Sequence, residues 1–222
     1  MRYLDLITAS FVAVLLISNI AAIKVFEVGG LVFDGGAFIF PISYVFGDIL
    51  TEVYGYQKSR RVIWTGFFWL LVMNLVLALS VAMPPDPEWN QNVGQEAFRK
   101  VLGVSPRIAL AGLLGYFWGE FANSYVLARM KVAASGRNLW QRTIGSTLVG
   151  ELVDTMLFCT IAFWGILSPA RILSYTLTGY LYKCLVEIAM TPVTYKVVAF
   201  LKRAEDQDVY DRDTDFNPFR WH

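Results

Sequence analysis

The stretch Phe46-Gly47-Asp48-Ile49-Leu50-Thr51-Glu52-Val53-Tyr54-Gly55 decides how this chain is read. It closes a hydrophobic segment that begins at Ala37 and ends at Tyr54. At ~1.5 Å per residue that segment spans roughly 27 Å, close to one hydrocarbon core. Asp48 and Glu52 are four apart, so a continuous helix puts both on one face. A carboxylate in the middle of a membrane helix costs about 2.5–3.5 kcal/mol on insertion scales. Two of them on one face point to binding or transfer; the competing reading is a structural pair satisfied by neighbouring helices.

Working outward, the 222 residues are 56% hydrophobic and only 17% charged. Ordinary globular chains run at about 45–50% apolar and about 25% charged. The excess is gathered into long apolar runs, which makes an integral membrane protein of the all-α class: a polytopic bundle of about six helices. The runs cover residues 3–23, 37–54, 62–83, 107–128, 143–167 and 174–201. Residues 1–201 form one transmembrane domain, and 202–222 form a polar tail, extended or docked, that lacks the apolar content for a core of its own. The first run is longer than a signal peptide's apolar region and has no small-residue cleavage site.

Gly29-Gly30 and Asp34-Gly35-Gly36 read as turns, around apolar residues that hug or re-enter the membrane. Gln57 to Arg61 reads as a short basic loop. Residues 88–105 form the longest loop, with an amphipathic surface helix over 93–102. Arg2, Lys58, Arg60, Arg61, Arg129, Lys131, Arg137, Arg142, Lys202 and Arg203 fall on one side, against Lys24, Arg99, Lys100, Arg107 and Arg171 on the other. The richer side is cytoplasmic by the positive-inside rule, so both termini lie inside.

Three runs carry a similar phrase: Gly47-Asp48, Gly119-Glu120 and Gly150-Glu151. The last two share Gly-Glu-x-x-(Asn/Asp)-(Ser/Thr), through Asn123-Ser124 and Asp154-Thr155. Glycine lets helices approach closely and the adjacent acid turns into the bundle; the phrase is either an internal repeat or a chance match. Counted from the cytoplasmic ends of their runs, Asp48, Glu120 and Glu151 lie at a common depth of roughly 9–12 Å. Lys183 and Glu187 lie nearer the midplane. Asp48, Glu52, Glu120, Glu151, Asp154 and Glu187 therefore face one intramembrane cation, Lys183. Some acids are protonated, or the site holds water, or a ligand supplies donors. Interhelical hydrogen bonds as glue explain one or two such residues but strain to explain six.

Acceptors ringed by aromatics such as Phe40, Tyr44, Tyr116 and Tyr180 suit a planar ligand rich in N–H donors. A guanine-like base presents a ring N–H and an exocyclic amine to one carboxylate as a bidentate pair. Asn19 and Asn123 complete the hydrogen bonding, and Lys183 holds Glu187 or a ligand carbonyl. The only histidine is His222, and Cys159 and Cys184 sit in apolar runs, so no metal site, cofactor site or His-based nucleophile is expected. The short basic loops read as topology signals, so no nucleic-acid partner is expected.

At these residues the sequence resembles the queuosine precursor transporter family, integral membrane proteins also described as vitamin-uptake-transporter-like. The resemblance rests on Ser18-Asn19 with Lys24, on Pro41 through Gly55, on Arg60-Arg61, on Gly119 to Ser124, on Arg142 to Asp154 and on Tyr182-Lys183. It extends to the tail phrases Asp208-Val209-Tyr210-Asp211-Arg212 and Phe216-Asn217-Pro218-Phe219. It implies a six-helix inner-membrane importer of 7-deazaguanine bases such as queuine, preQ0 or preQ1, coupled to an ion or proton. The lipid bilayer and the free base are then the partners. Two other readings stand beside it. A substrate-binding subunit of an energy-coupling-factor-type transporter would need an ATPase module, or the chain assembles as a homo-oligomer; Ala9-x-x-x-Ala13 is a docking face for such contacts. An intramembrane aspartyl protease lacks its usual Gly-x-Gly-Asp phrase here.

Overall fold

The computed structural model describes residues 1–28, 31–103 and 106–220. The turn expected at Gly29-Gly30, Ser105 at the end of the long loop and His222 lie outside the described residues. The helices are α1 Leu4–Ala21, α2 Phe40–Ile49, α3 Tyr56–Ala82, α4 Pro87–Asn92, α5 Gln95–Leu102, α6 Pro106–Ala133, α7 Leu139–Phe163 and α8 Pro169–Glu205. Helices α1, α3, α6, α7 and α8 hold the five stretches long and apolar enough to cross a membrane.

The expected second span is the exception. A 3₁₀ turn over Gly35–Phe38 leads into the ten residues of α2, and a five-residue π-helical turn, Leu50–Tyr54, follows. This segment still runs back along the bundle. Arg2 and Tyr3 donate their backbone N–H groups to Glu205 at the end of α8, and the Tyr54 hydroxyl donates to the same carboxylate. The start of α1, the end of the π turn and the end of α8 therefore share one end of the bundle, called here the terminal end. The chain therefore runs along the bundle six times, five of them in helices long and apolar enough to cross a membrane. The short pass is tolerated because protein surrounds it: from Ser43 to Tyr54 only Phe46 is not fully buried. A helix buried on all sides needs no lipid-facing apolar stripe and no full bilayer length.

Two cores meet on α2. Val45, Ile49 and Val53 lie four apart and pack into an apolar core with Phe11, Leu15, Ile63, Leu70, Tyr116 and Phe117 from α1, α3 and α6. The neighbouring stripe of Tyr44, Asp48 and Thr51 faces the other way, toward α6, α7 and α8. The 25–34 segment, read as turns and membrane-hugging chain, is an antiparallel hairpin with β1 Val25–Val28 paired to β2 Leu31–Asp34. Gln57 to Arg61 is not a loop but the first turns of α3, joined to the π turn by Gly55 alone at φ 82°. The amphipathic helix of the long loop is present as α5, preceded by α4, whose start Asp86 caps by accepting from the Trp89 N–H.

Helices α6 and α7 pack antiparallel through the Gly-Glu phrases. A methyl built on Gly119 would lie 2.7 Å from Asp154 Cβ and 3.1 Å from the Gly150 carbonyl oxygen. A methyl built on Gly150 would lie 2.7 Å from Asn123 Cβ and 2.9 Å from the Gly119 carbonyl oxygen. The two contacts are mirror partners about a local two-fold axis, each phrase supplying the glycine against which the other rests its polar residue. Backbones this close leave no place for a side chain. Gly150→Ala is therefore expected to lower unfolding stability by about 1–3 kcal/mol, read as a drop in melting temperature in detergent, whereas Ala at Gly112, which meets nothing within 4 Å, leaves it unchanged.

Candidate functional site

The acids expected to form one floor are sorted into two clusters. The split is one of position along the segment. Glu52 lies one helical turn beyond Asp48, toward the terminal end, where Lys131, Arg142 and Lys202 reach it, while Asp48 meets Asn123.

The first cluster is a chamber bounded by α2, α6, α7 and α8. Asn123 donates to Asp48 Oδ1 at 2.9 Å. Lys183 lies 2.5 Å from Asp154 Oδ2 and 3.0 Å from Glu151 Oε2. The Tyr44 hydroxyl reaches Asp154 at 3.5 Å, and Lys183 also sits over the Phe40 ring, 4.5 Å from its centroid. Glu120 comes from α6 against Gly47, where a methyl would lie 2.8 Å from its Oε2. Asp48, Glu120, Glu151, Asp154 and Glu187 are 0–6% exposed. Asp48 Oδ2, Glu120 Oε2, Asn123 Oδ1 and both oxygens of Glu187 are buried with no hydrogen-bond partner, as are the hydroxyls of Thr147 and Thr155. Buried polar groups are normally satisfied, so acceptors left open together mark a place for donors that the chain does not supply. The structure brings Asp48, Glu120, Glu151 and Asp154 together between these helices. The expected open, wet cavity is not present: this conformation excludes solvent from the acids.

Three expectations are corrected here. Lys183 pairs with Glu151 and Asp154, not with Glu187. The Asn19 amide, expected at the ligand, donates to the Leu15 carbonyl of its own helix at 2.8 Å. Glu52 is outside the chamber, in the second cluster, where it accepts from Arg142 at 2.5 Å and Lys202 at 2.6 Å, with Lys131 at 3.6 Å. Lys183 is thus not the only intramembrane cation. Lys131 and Arg142 are 1% and 2% exposed, and they hold the fold together instead of merely marking topology. The spacing Glu120, Ser124, Leu127, Lys131 is a helical stripe, and that signal would have placed Lys131 on the polar face.

The tail docks onto this cluster. Asp208 accepts from Lys131 at 2.5 Å and lies 2.8 Å from Lys202. Val209 pairs its backbone with Val53 and with Lys131, Asp211 accepts the Tyr56 N–H, and Arg60 donates to the carbonyls of Asp215 and Asn217. Partial burial pushes the Asp208 carboxyl up, but Lys131 and Lys202 outweigh it and hold it below its ordinary value. Among the described residues no group of His, Cys, Asp and Glu side chains is placed to hold a metal ion.

Removing a charge from the two clusters should have opposite effects. Glu52→Gln leaves three cations facing the single partly exposed carboxylate of Asp208 and is expected to cost about 3–5 kcal/mol of stability; Glu187→Gln removes an unpartnered buried carboxylate and should leave the melting temperature unchanged or higher. A depressed carboxyl supplies stability above its unfolded value that is lost as pH falls through its folded value. Docking of the tail through Asp208 should therefore persist at neutral pH and weaken only below about pH 4, followed by hydrogen exchange of the tail amides.

Three relatives share most of the chain. A "Probable queuosine precursor transporter" from Bacillus subtilis is 30% identical over 179 residues, covering 80% of this chain and 77% of its own length. The "Queuosine precursor transporter" of Escherichia coli is 28% identical, covering 78% and 76%. A "Probable queuosine precursor transporter" from Haemophilus influenzae is 23% identical, covering 73% and 67%. No solved structure matches. The sequence profile described as "Putative vitamin uptake transporter" matches residues 34–197, the stretch that contains every chamber acid, and the chain belongs to that family of multi-pass membrane transporters.

Proposed function

We propose that the chain imports queuosine precursors, free 7-deazaguanine bases, across the inner membrane with both termini in the cytoplasm. The observation that carries this reading is the set of unpartnered acceptors on Asp48, Glu120 and Glu187 in a closed chamber that also holds Lys183. A guanine-type edge offers the complementary pattern: ring N–H and exocyclic amine to one carboxylate, carbonyl oxygen to an ammonium. Glu120 and Asp48 take the donor edge. Lys183, held by Glu151 and Asp154, faces the carbonyl, and Tyr44 and Phe40 supply the aromatic wall. The names of the three relatives support the same substrate class.

The acid excess supports cation coupling. Five chamber carboxylates stand against one lysine, and charge of one sign is not carried through a low-dielectric interior uncompensated. Protons, or a cationic group on the ligand, travel with the closed chamber. A second reading, a binding subunit that docks on a partner module, is favoured by one feature: Ala9 and Ala13 lie exposed on α1.

Uptake of labelled base by purified protein in liposomes tests both readings. Wild type should transport without a partner, and a protonophore should abolish accumulation. Glu120→Gln and Asp154→Asn should each reduce uptake by about tenfold or more, the worth of a charge-assisted hydrogen bond. Near-normal uptake by both variants would remove those residues from the mechanism.

A further inference from the structure

We propose that the Glu52 cluster, with the tail strapped across it, is the gate that shuts the acid chamber at the terminal end of the bundle. The purpose of a gate rests on the transporter reading, but not on which base is carried.

Position comes first. Asp48 and Glu52 are adjacent along one segment, Asp48 in the chamber and Glu52 at the terminal end. Between them lies a sealed hydroxyl layer in which Thr51, Ser59 and Ser124 are mutually bonded at 3.0–3.1 Å. Anything leaving the chamber toward this end must part α2 from α6, α7 and α8. Glu52 is the single carboxylate that joins the four, through Lys131 on α6, Arg142 on α7 and Lys202 on α8.

The strap has a built seat. Gly55 and Gly136 both have positive φ, 82° and 76°. A methyl on Gly55 would lie 2.6 Å from Val209 Cγ1, and one on Gly136 would collide with the Tyr210 hydroxyl. Two glycines, from the start of α3 and from the α6–α7 turn, thus leave space for two consecutive strap residues. The Tyr210 ring lies over Lys131, 4.7 Å from its Nζ.

Charge then couples strap to gate. With the strap docked, Glu52 and Asp208 face Lys131, Arg142 and Lys202, two carboxylates against three cations. When the strap lifts, Asp208 leaves and one carboxylate faces three. Like charges held out of water repel strongly, so lifting the strap loosens the contacts that hold the helices shut. Asp208 is suited to leave because its side chain is 43% exposed, whereas that of Glu52 is fully buried.

Thr147 provides the probe. It is buried on α7 between Arg142 and Glu151, with its hydroxyl unpartnered. In a background with Cys159→Ala and Cys184→Ala, Thr147→Cys is reacted with a water-soluble maleimide in the full-length chain, in the full-length chain with Asp208→Asn, and in a chain ended after Glu205. Labelling should be about tenfold faster or more when Asp208 or the whole strap is lost, the scale of one partly exposed ion-pair partner. Asp213→Asn, at an exposed tail carboxylate, should leave it unchanged. Labelling no faster in Asp208→Asn, in protein that keeps its melting transition, overturns the proposal; this comparison stands alone if the shortened chain does not fold. The assay contains no base, so the two ideas fail separately. Strap-dependent labelling in protein that transports no deazaguanine supports the gate and removes the substrate. Uptake with strap-independent labelling does the reverse.

Discussion

Holding carboxylates out of water is the constraint on which this bundle depends. An unpaired buried charge costs several kcal/mol, and the chain buries six within its helices. It meets the cost in two different ways. At the terminal end it surrounds one carboxylate, Glu52, with three cations and fills their remaining donors with backbone carbonyls: Lys131 also donates to the Glu52 and Val209 carbonyls, and Arg142 to those of Gly136 and Arg137. In the chamber it does the opposite. One lysine is shared by Glu151 and Asp154, and the oxygens of Glu187 are left with nothing. The first arrangement is structural and complete within the chain. The second leaves acceptors that the chain itself does not fill.

The separation is one of position along a single segment. Asp48 lies one turn before Glu52, so the two carboxylates meet different neighbours: Asn123 for the first, and Lys131, Arg142 and Lys202 for the second. The segment ends in a π-helical turn, and Gly55 reverses the chain within one residue into α3. The Val53 carbonyl at this end accepts from the Val209 N–H, so the same segment end attaches the tail. The close approach of α6 and α7 does complementary work. Gly119 and Gly150 let each helix press its polar residue against the other's backbone, which brings Asn123 and Asp154 into the chamber from opposite directions.

Much of this was legible in the residues, for reasons that can be stated one by one. The apolar runs fixed the long helices because a membrane helix must satisfy its backbone within itself. Glycine beside an acid signalled a close approach with a buried carboxylate, and Glu120 and Glu151 are buried in that way. That Arg60, Lys131, Arg142 and Lys202 also fold inward to ion pairs and carbonyls was not legible, because a count of basic residues carries no information about which of them are buried. A polar residue in an apolar run can also be satisfied by its own helix, as the Asn19 amide is by the Leu15 carbonyl.

The sequence by itself determined the long apolar helices, the acids carried between them, and the tail as a polar segment that follows the last helix. These follow from hydropathy, helical spacing and the cost of charge in an apolar medium, all of which are local. Only the tertiary structure decided which acid meets which cation, that Glu52 sits among three cations while the Glu187 oxygens have no partner, and that the tail crosses the end of the bundle. Those outcomes depend on contacts between residues as far apart as Glu52 and Lys202. They were set by which side chains different helices bring to the same level of the bundle, which spacing within any one helix does not encode.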